Sequence, residues 1–149
     1  MSDDLEFRVD KFIFIVAQDR LYSEEGLWVM VEDKNIRIGI SDYMQQRSGD
    51  VAFAEIKPEG TTIRVGDELA VIETIKVNIS LTSPAAGRVI EVNPAMETGP
   101  DIINQDPYGE GWLVLMEAAG CNTELKHLLE PQEYFVKIKA EAEWEIRNK

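Results

Sequence analysis

From Trp28 to Met116 the chain is written in short runs of alternating apolar and polar residues. That period of two marks strands with one face buried and one wet. Val77, Ile79 and Leu81 alternate with Asn78, Ser80 and Thr82, which sends three apolar side chains to one face and three polar ones to the other. The same pattern predicts strands over 28–31, 35–40, 51–56, 62–65, 69–73, 77–81, 87–92 and 112–116. Glu32-Asp33-Lys34-Asn35, Pro58-Glu59-Gly60 and Ser83-Pro84-Ala85-Ala86-Gly87 supply turns between them. Many short strands at close spacing imply a compact sandwich or barrel.

Helical signals are fewer. Ser41 as N-cap and Gly49 as stop bracket a short helix over 42–47, and Pro100 opens a turn that closes near Asp106-Pro107. A helix is expected over 123–130, a break at Pro131, and a second helix over 132–146 whose Phe135, Ile138 and Ala142 form an apolar stripe. The ordinary use of such a stripe is to pack on the domain's own sheet. Gly49-Asp50 and Gly66-Asp67 each precede a strand, a faint repeat that fits two related half-sheets facing each other.

With 149 residues and 44% hydrophobic content, the chain suits one domain with a substantial core. Its formal charge of -13 would repel nucleic-acid phosphates and anionic lipid, so neither is expected as a partner. The lone cysteine, Cys121, makes no internal disulfide, and His127 is the only histidine, so no Cys/His metal cluster and no nucleophile-base pair can be assembled. An inert Cys121 is the commoner case, although its place before a helix start would allow thiolate activation. The apolar run 12–17 is too short to span a bilayer and follows an acidic start, so no export signal is read and a reducing cytoplasm is the expected compartment.

Lys76 stands between two apolar runs, three residues after Glu73 and seven before the Ser83-Pro84-Ala85-Ala86-Gly87 turn. A lysine at the bend of a hairpin is held away from the body of a domain by the cross-strand hydrogen bonds of both arms. Local pattern alone leaves it an ordinary soluble turn residue.

An ordered series of motifs changes that. It comprises Trp28-Val29-x-Val31-Glu32, Ile38-Gly39-Ile40-Ser41-Asp42-Tyr43, Gly49-Asp50-Val51, Gly66-Asp67-Glu68, Glu73-Thr74-Ile75-Lys76, Ser83-Pro84-x-x-Gly87, Val92-Asn93 and Asn104-x-Asp106-Pro107-Tyr108-Gly109-x-Gly111-Trp112. Over residues 22–117, in order and spacing, the chain resembles the glycine cleavage system H protein family. Biotin carriers share the architecture but flank their lysine with methionines, unlike Ile75 and Val77 here.

The resemblance implies a mainly β, lipoyl-domain-like barrel-sandwich hybrid of two small antiparallel sheets, with short peripheral helices and a C-terminal helical segment. It divides the chain into an N-terminal extension over 1–21, a carrier domain over 22–120 and C-terminal helices over 121–149. It makes Lys76 the attachment point of lipoate, reaching roughly 15 Å from the backbone over about twelve bonds, and Glu73 a residue by which a lipoate-attaching enzyme recognises the hairpin. Gly66, Pro84 and Gly87 shape turns. The implied protein is a carrier and not an enzyme, its arm visiting glycine decarboxylase, aminomethyltransferase and dihydrolipoamide dehydrogenase.

Three departures bear on cargo. The family usually has His-Glu before the tryptophan, where the histidine can contact a loaded arm; Gly26-Leu27 stands here. Val77 replaces the usual alanine, and the segment around 12–16 extends beyond many members. These fit a branch of lipoate-binding proteins that serve sulfur oxidation with a heterodisulfide-reductase-like complex, and an apolar Leu27 would then suit a different cargo. The contrasting reading is a non-lipoylated interaction module with Lys76 a relic.

Overall fold

The computed structural model describes residues 4–119 and 123–148, with only the backbone of Thr123 and Glu124. Cys121 and its possible thiolate chemistry therefore lie outside the described residues. Eleven strands are formed among them: β1 Leu5–Val9, β2 Phe12–Val16, β3 Leu21–Tyr22, β4 Leu27–Glu32, β5 Asn35–Ile40, β6 Val51–Ile56, β7 Thr62–Ile63, β8 Glu68–Thr74, β9 Asn78–Thr82, β10 Gly87–Val92 and β11 Val114–Ala118. Four α-helices accompany them: α1 Asp42–Ser48, α2 Ala95–Thr98, α3 Ile102–Gln105 and α4 Pro131–Arg147.

The strands form a six-stranded sheet in the order β3-β4-β5-β11-β10-β7, a three-stranded sheet β6-β8-β9, and a separate hairpin β1-β2, all antiparallel. The two larger sheets are the sandwich that the alternation predicts. Ile36, Ile38, Val89 and Met116 from one face Leu69, Ile72 and Leu81 from the other, all fully buried. A bulge between Glu68 and Ala70 shifts the β8–β9 register, which lets Leu69 and Ala70 both turn inward.

The Gly49-Asp50 and Gly66-Asp67 echo is real in backbone terms, for the glycines take φ of 90° and 89°. The strands they introduce nevertheless pair side by side, Ile56 opposite Ala70, within one sheet. The expectation of facing half-sheets fails. Gly87 also acts otherwise than expected: it opens β10, and a Cβ there would stand 2.3 Å from the Glu117 carbonyl oxygen, so its smallness serves close strand approach.

A second core forms where β1-β2, α1 and α4 meet. Phe7, Val9, Phe14 and Val16 point inward from the hairpin onto Tyr43, Tyr134, Ile138 and Ala142. Tyr22 and Tyr134 stack with centroids 4.3 Å apart. Helix α4 begins at Pro131, which needs no N–H there, behind a capping box of Glu130 and Glu133. Its buried stripe is Tyr134, Ile138 and Ala142, with Phe135 half-buried against Phe7. The helix expected over 123–130 is instead a 3-10 turn, Thr123–His127. Leu129 leaves it to exchange two backbone hydrogen bonds with Tyr22, at 2.9 and 2.7 Å, and this bridge pulls the chain extended.

Candidate functional site

Thr74 through Val77 make the turn joining β8 to β9. The Thr74 amide donates to the Val77 carbonyl at 2.8 Å, and the Thr74 hydroxyl accepts from the amides of Lys76 and Val77 at 3.1 and 3.0 Å. A hydroxyl folded back on its own turn holds the bend without a glycine. Thr74 was legible only as a Ser/Thr-type turn signal two residues before the lysine.

Burial falls along β9 toward this tip: Leu81 is 1% exposed, Ile79 half-buried and Val77 49% exposed, with Ile75 at 74%. Burying an aliphatic side chain fully stabilises by about 1.5–3 kcal/mol, so the hairpin is anchored by its core contacts at the Leu81 end and loses them toward Lys76. One backbone bond ties the tip sideways: the Ile75 amide donates to the Asp50 carbonyl at 3.1 Å. Asn104 fixes that neighbouring strand, its side chain accepting from the Val51 amide (2.8 Å) and donating to the Gly49 carbonyl (3.1 Å) and the Gln45 side chain (3.0 Å).

Lys76 is exposed, and its aliphatic stem passes over Gly49, whose ideal Cβ would lie 3.3–3.5 Å from Cδ, Cγ and Cε. Among the described residues its ammonium has no hydrogen bond or ion pair. An exposed, unpartnered primary amine on a rigid tip suits acylation by another enzyme. The stem also borders a groove of about 270 Å³, walled by Phe12 and Phe14 of β2, Tyr43 and Arg47 of α1, and Ile146 of α4.

Glu73 lies elsewhere. In register it stands between Phe53 and Asn78, half-buried, and borders a depression on the outer face of the three-stranded sheet with Phe53, Val71 and Glu97. No ion pair joins it to Lys76. The two residues share a hairpin but open onto different surfaces.

Most of the recurring motif residues build scaffold. Ser41 caps α1 by accepting from the Met44 amide and shares a 2.7 Å hydrogen bond with the Tyr134 hydroxyl. Asp42 accepts from the Ile15 amide at 2.9 Å, and Tyr108 donates to the Ile15 carbonyl at 2.7 Å, so side chains satisfy both backbone groups of Ile15 on the free edge of β2. The Trp28 indole donates to the Pro107 carbonyl at 2.8 Å, under the guanidinium of Arg20.

The departure before Trp28 needs correction. Leu27 is 0% exposed and belongs to the main core, so it cannot meet a cargo. Gly26 is also buried, against Met44, on a different face of α1 from Tyr43 and Arg47. A side chain at 26 or 27 therefore says nothing direct about what the hairpin lysine would carry.

Architecture and tip together define a lipoyl-domain-like barrel-sandwich carrier fold. The family model for Glycine cleavage H-protein matches residues 20–141, and the chain belongs to that family. It is 39% identical over 123 residues to the glycine cleavage system H protein of Bacteroides fragilis, covering 83% of this chain and 97% of that one. It is 38% identical over 127 residues to a probable glycine cleavage system H protein 1 of Saccharolobus solfataricus, covering 85% and 93%. The crystal structure of a glycine cleavage system H protein from Mycobacterium marinum superposes with a TM-score of 0.76 at 29% identity, over 83% of this chain and 99% of that one. Proteins of this family carry covalent lipoate. No described helix is long and apolar enough to cross a membrane.

Proposed function

We propose that Lys76 is the lipoyl attachment residue and that the protein is a cytoplasmic carrier, without catalysis of its own, for the glycine cleavage reaction. The observation that carries this is the unpartnered amine of Lys76, held by Thr74 and the Ile75–Asp50 bond at the tip of a projecting hairpin. When bound, lipoate would supply a dithiolane able to pass between disulfide and dithiol. The chain's own part is to hold the attachment point at an exposed hairpin tip and present a docking surface, so that a tethered group meets a partner's site at high effective concentration.

Glycine decarboxylase, aminomethyltransferase and dihydrolipoamide dehydrogenase are the partners this reading assigns, after a lipoate-attaching enzyme has acted. The names of the relatives favour it over the lean toward a heterodisulfide-reductase-like sulfur system, and Leu27, one of the departures behind that lean, is buried. Residues 22–120 form the carrier unit in this reading, with 1–21 as an N-terminal extension and 121–149 as a C-terminal segment whose helix α4 packs on the same domain.

Intact mass of protein isolated from its native host tests the attachment. A lipoyl adduct that disappears in Lys76→Arg is expected; unmodified protein would favour the interaction module instead. Reconstitution with the three glycine-cleavage enzymes tests the assignment of partners, and failure to support aminomethyl transfer would reopen the sulfur branch.

A further inference from the structure

Helix α4 buries Tyr134, Ile138 and Ala142, yet the side turned away from them is not wholly polar. Val136 is 67% exposed and Trp144 59%, with the exposed Ala140 midway between them. At about 100° per residue these three, together with the exposed Glu133 and Arg147, fall inside one arc of about 80°. That arc is centred about 160° from the buried stripe, so it forms the outermost surface of the helix. A valine and an indole there are apolar surface left in water unless something covers them. Trp144 and Arg147 lie beyond residue 141, where the match to the family model ends.

The order of residues on this face is self-complementary. Val136 and Trp144 each stand four residues from Ala140, and Glu133 and Arg147 each stand seven. When two copies of α4 lie antiparallel with Ala140 against Ala140, each Trp144 meets the second copy's Val136 and each Arg147 meets the second copy's Glu133. Alanine at the crossing lets the helix axes approach to about 8–10 Å. Arg147 has no ion pair within its own chain among the described residues. Glu133 spends Oε1 on the Glu130 amide at 2.9 Å, which leaves Oε2 for a guanidinium. The chain's charge of -13 opposes self-association at a distance, but such repulsion is screened beyond about 8 Å at physiological salt. Four acids and three bases leave α4 itself near neutral.

We propose that the outer face of α4 is a self-association surface that joins two copies of this chain antiparallel about Ala140. A contact one helix wide falls short of the standard interface of about 1,600 Å², so the pair is weak and forms at about 10–100 μM. Glu145 and Ile146, near the C-terminal end of α4, border the same groove as the stem of Lys76. Antiparallel pairing sends those ends apart, so both hairpin tips stay open and one particle presents two carrier lysines. The contact does not depend on whether Lys76 is acylated.

Sedimentation equilibrium of the full chain, loaded from about 10 μM to about 1 mM, should show monomer and dimer in exchange. Val136→Ser/Trp144→Ser, both at exposed positions, should leave the chain monomeric over that range. Arg147→Glu and Glu133→Lys should each weaken self-association about tenfold, because like charges then face each other at both ends of the pair. Mixed in equal amounts, the two variants should pair with each other, since the acidic ends of one meet the basic ends of the other. Glu133→Lys also removes the capping box, so circular dichroism must show α4 formed in it; Arg147→Glu and the Val136/Trp144 substitutions touch no cap and decide the matter if that helix frays. A chain still monomeric at about 1 mM, or a dimer that survives Val136→Ser/Trp144→Ser, would overturn the contact. Arg147→Glu associating as well as the unsubstituted chain, or folded charge variants that fail to pair when mixed, would overturn the antiparallel register.

Discussion

Gly49 lies directly beneath Lys76, close enough that a Cβ at 49 would stand 3.3 Å from the lysine Cδ. Gly49 ends α1 with φ 90° and ψ -174°, a backbone region essentially reserved for glycine. The helix stop and the bed of the lysine stem are thus one residue. Gly49→Ala is expected to destabilise the fold by about 1–3 kcal/mol, read from denaturant midpoints. It should also push the stem aside and change the rate of enzymatic acylation. Wild-type stability in Gly49→Ala would refute the strain.

Asn104 stands one step further back, holding Gly49 and Val51 while touching nothing at the tip. Removing its amide would strip the Val51 N–H, on a buried residue, and the half-buried Gly49 carbonyl of their partner, at about 1–3 kcal/mol for an unsatisfied group. Asn104→Ala should therefore lower stability, and hydrogen exchange at Ile75, whose amide bonds to Asp50, should quicken. Asn104→Asp can still accept from Val51 but cannot donate, so an intermediate effect is expected. Unchanged exchange at Ile75 in both variants would show that the tip does not depend on this anchor.

Glu73 opens onto the outer sheet face beside Phe53, which is 67% exposed. If a lipoate-attaching enzyme reads that face, Glu73→Gln should slow acylation of Lys76 several-fold while leaving the melting temperature unchanged, since the Glu73 carboxylate has no hydrogen bond or ion pair among the described residues. Equal acylation rates for the two proteins would remove Glu73 from the recognition surface.

The sandwich was legible because its strands each bury one face. The bounds of β5, β6 and β10 coincide with the alternation, and Leu81, Ile79 and Val77 keep their common face even as burial fades toward the tip. The N-terminal hairpin was not legible as strands. In 12–16 every residue is apolar, because Phe14 and Val16 face α1 and α4 while Phe12, Ile13 and Ile15 stay partly exposed, so no alternation survives in the sequence. Tyr134, which opens the α4 stripe, is not singled out by the sequence pattern, which favours Phe135, because its burial depends on stacking with Tyr22, more than a hundred residues away. The groove was hidden for the same reason: its walls come from the two ends of the chain. Lys76 itself was visible through ordered motifs, whereas the Thr74 turn and the Asn104 anchor are hydrogen-bond geometries that spacing does not encode.

The second core has a pH consequence. All four tyrosines resist ionisation, chiefly because burial penalises the phenolate: Tyr22, Tyr43 and Tyr134 are raised above their ordinary value, and Tyr108 is pushed up to about 12. Tyr22 donates to the Ala17 carbonyl and Tyr108 to the Ile15 carbonyl, bonds that a phenolate cannot make. In the unfolded chain each phenol would ionise near 10, so above that pH the folded state binds more protons than the unfolded one. Stability is then full below about pH 10 and falls as pH rises, for Tyr108 across the window from about 10 to 12. Absorbance of tyrosinate and circular dichroism, followed together on raising pH, should show little ionisation at pH 10 and then a single coincident rise of tyrosinate with loss of structure. Four tyrosines titrating near pH 10 with the fold intact would contradict this packing of the hairpin against α1 and α4.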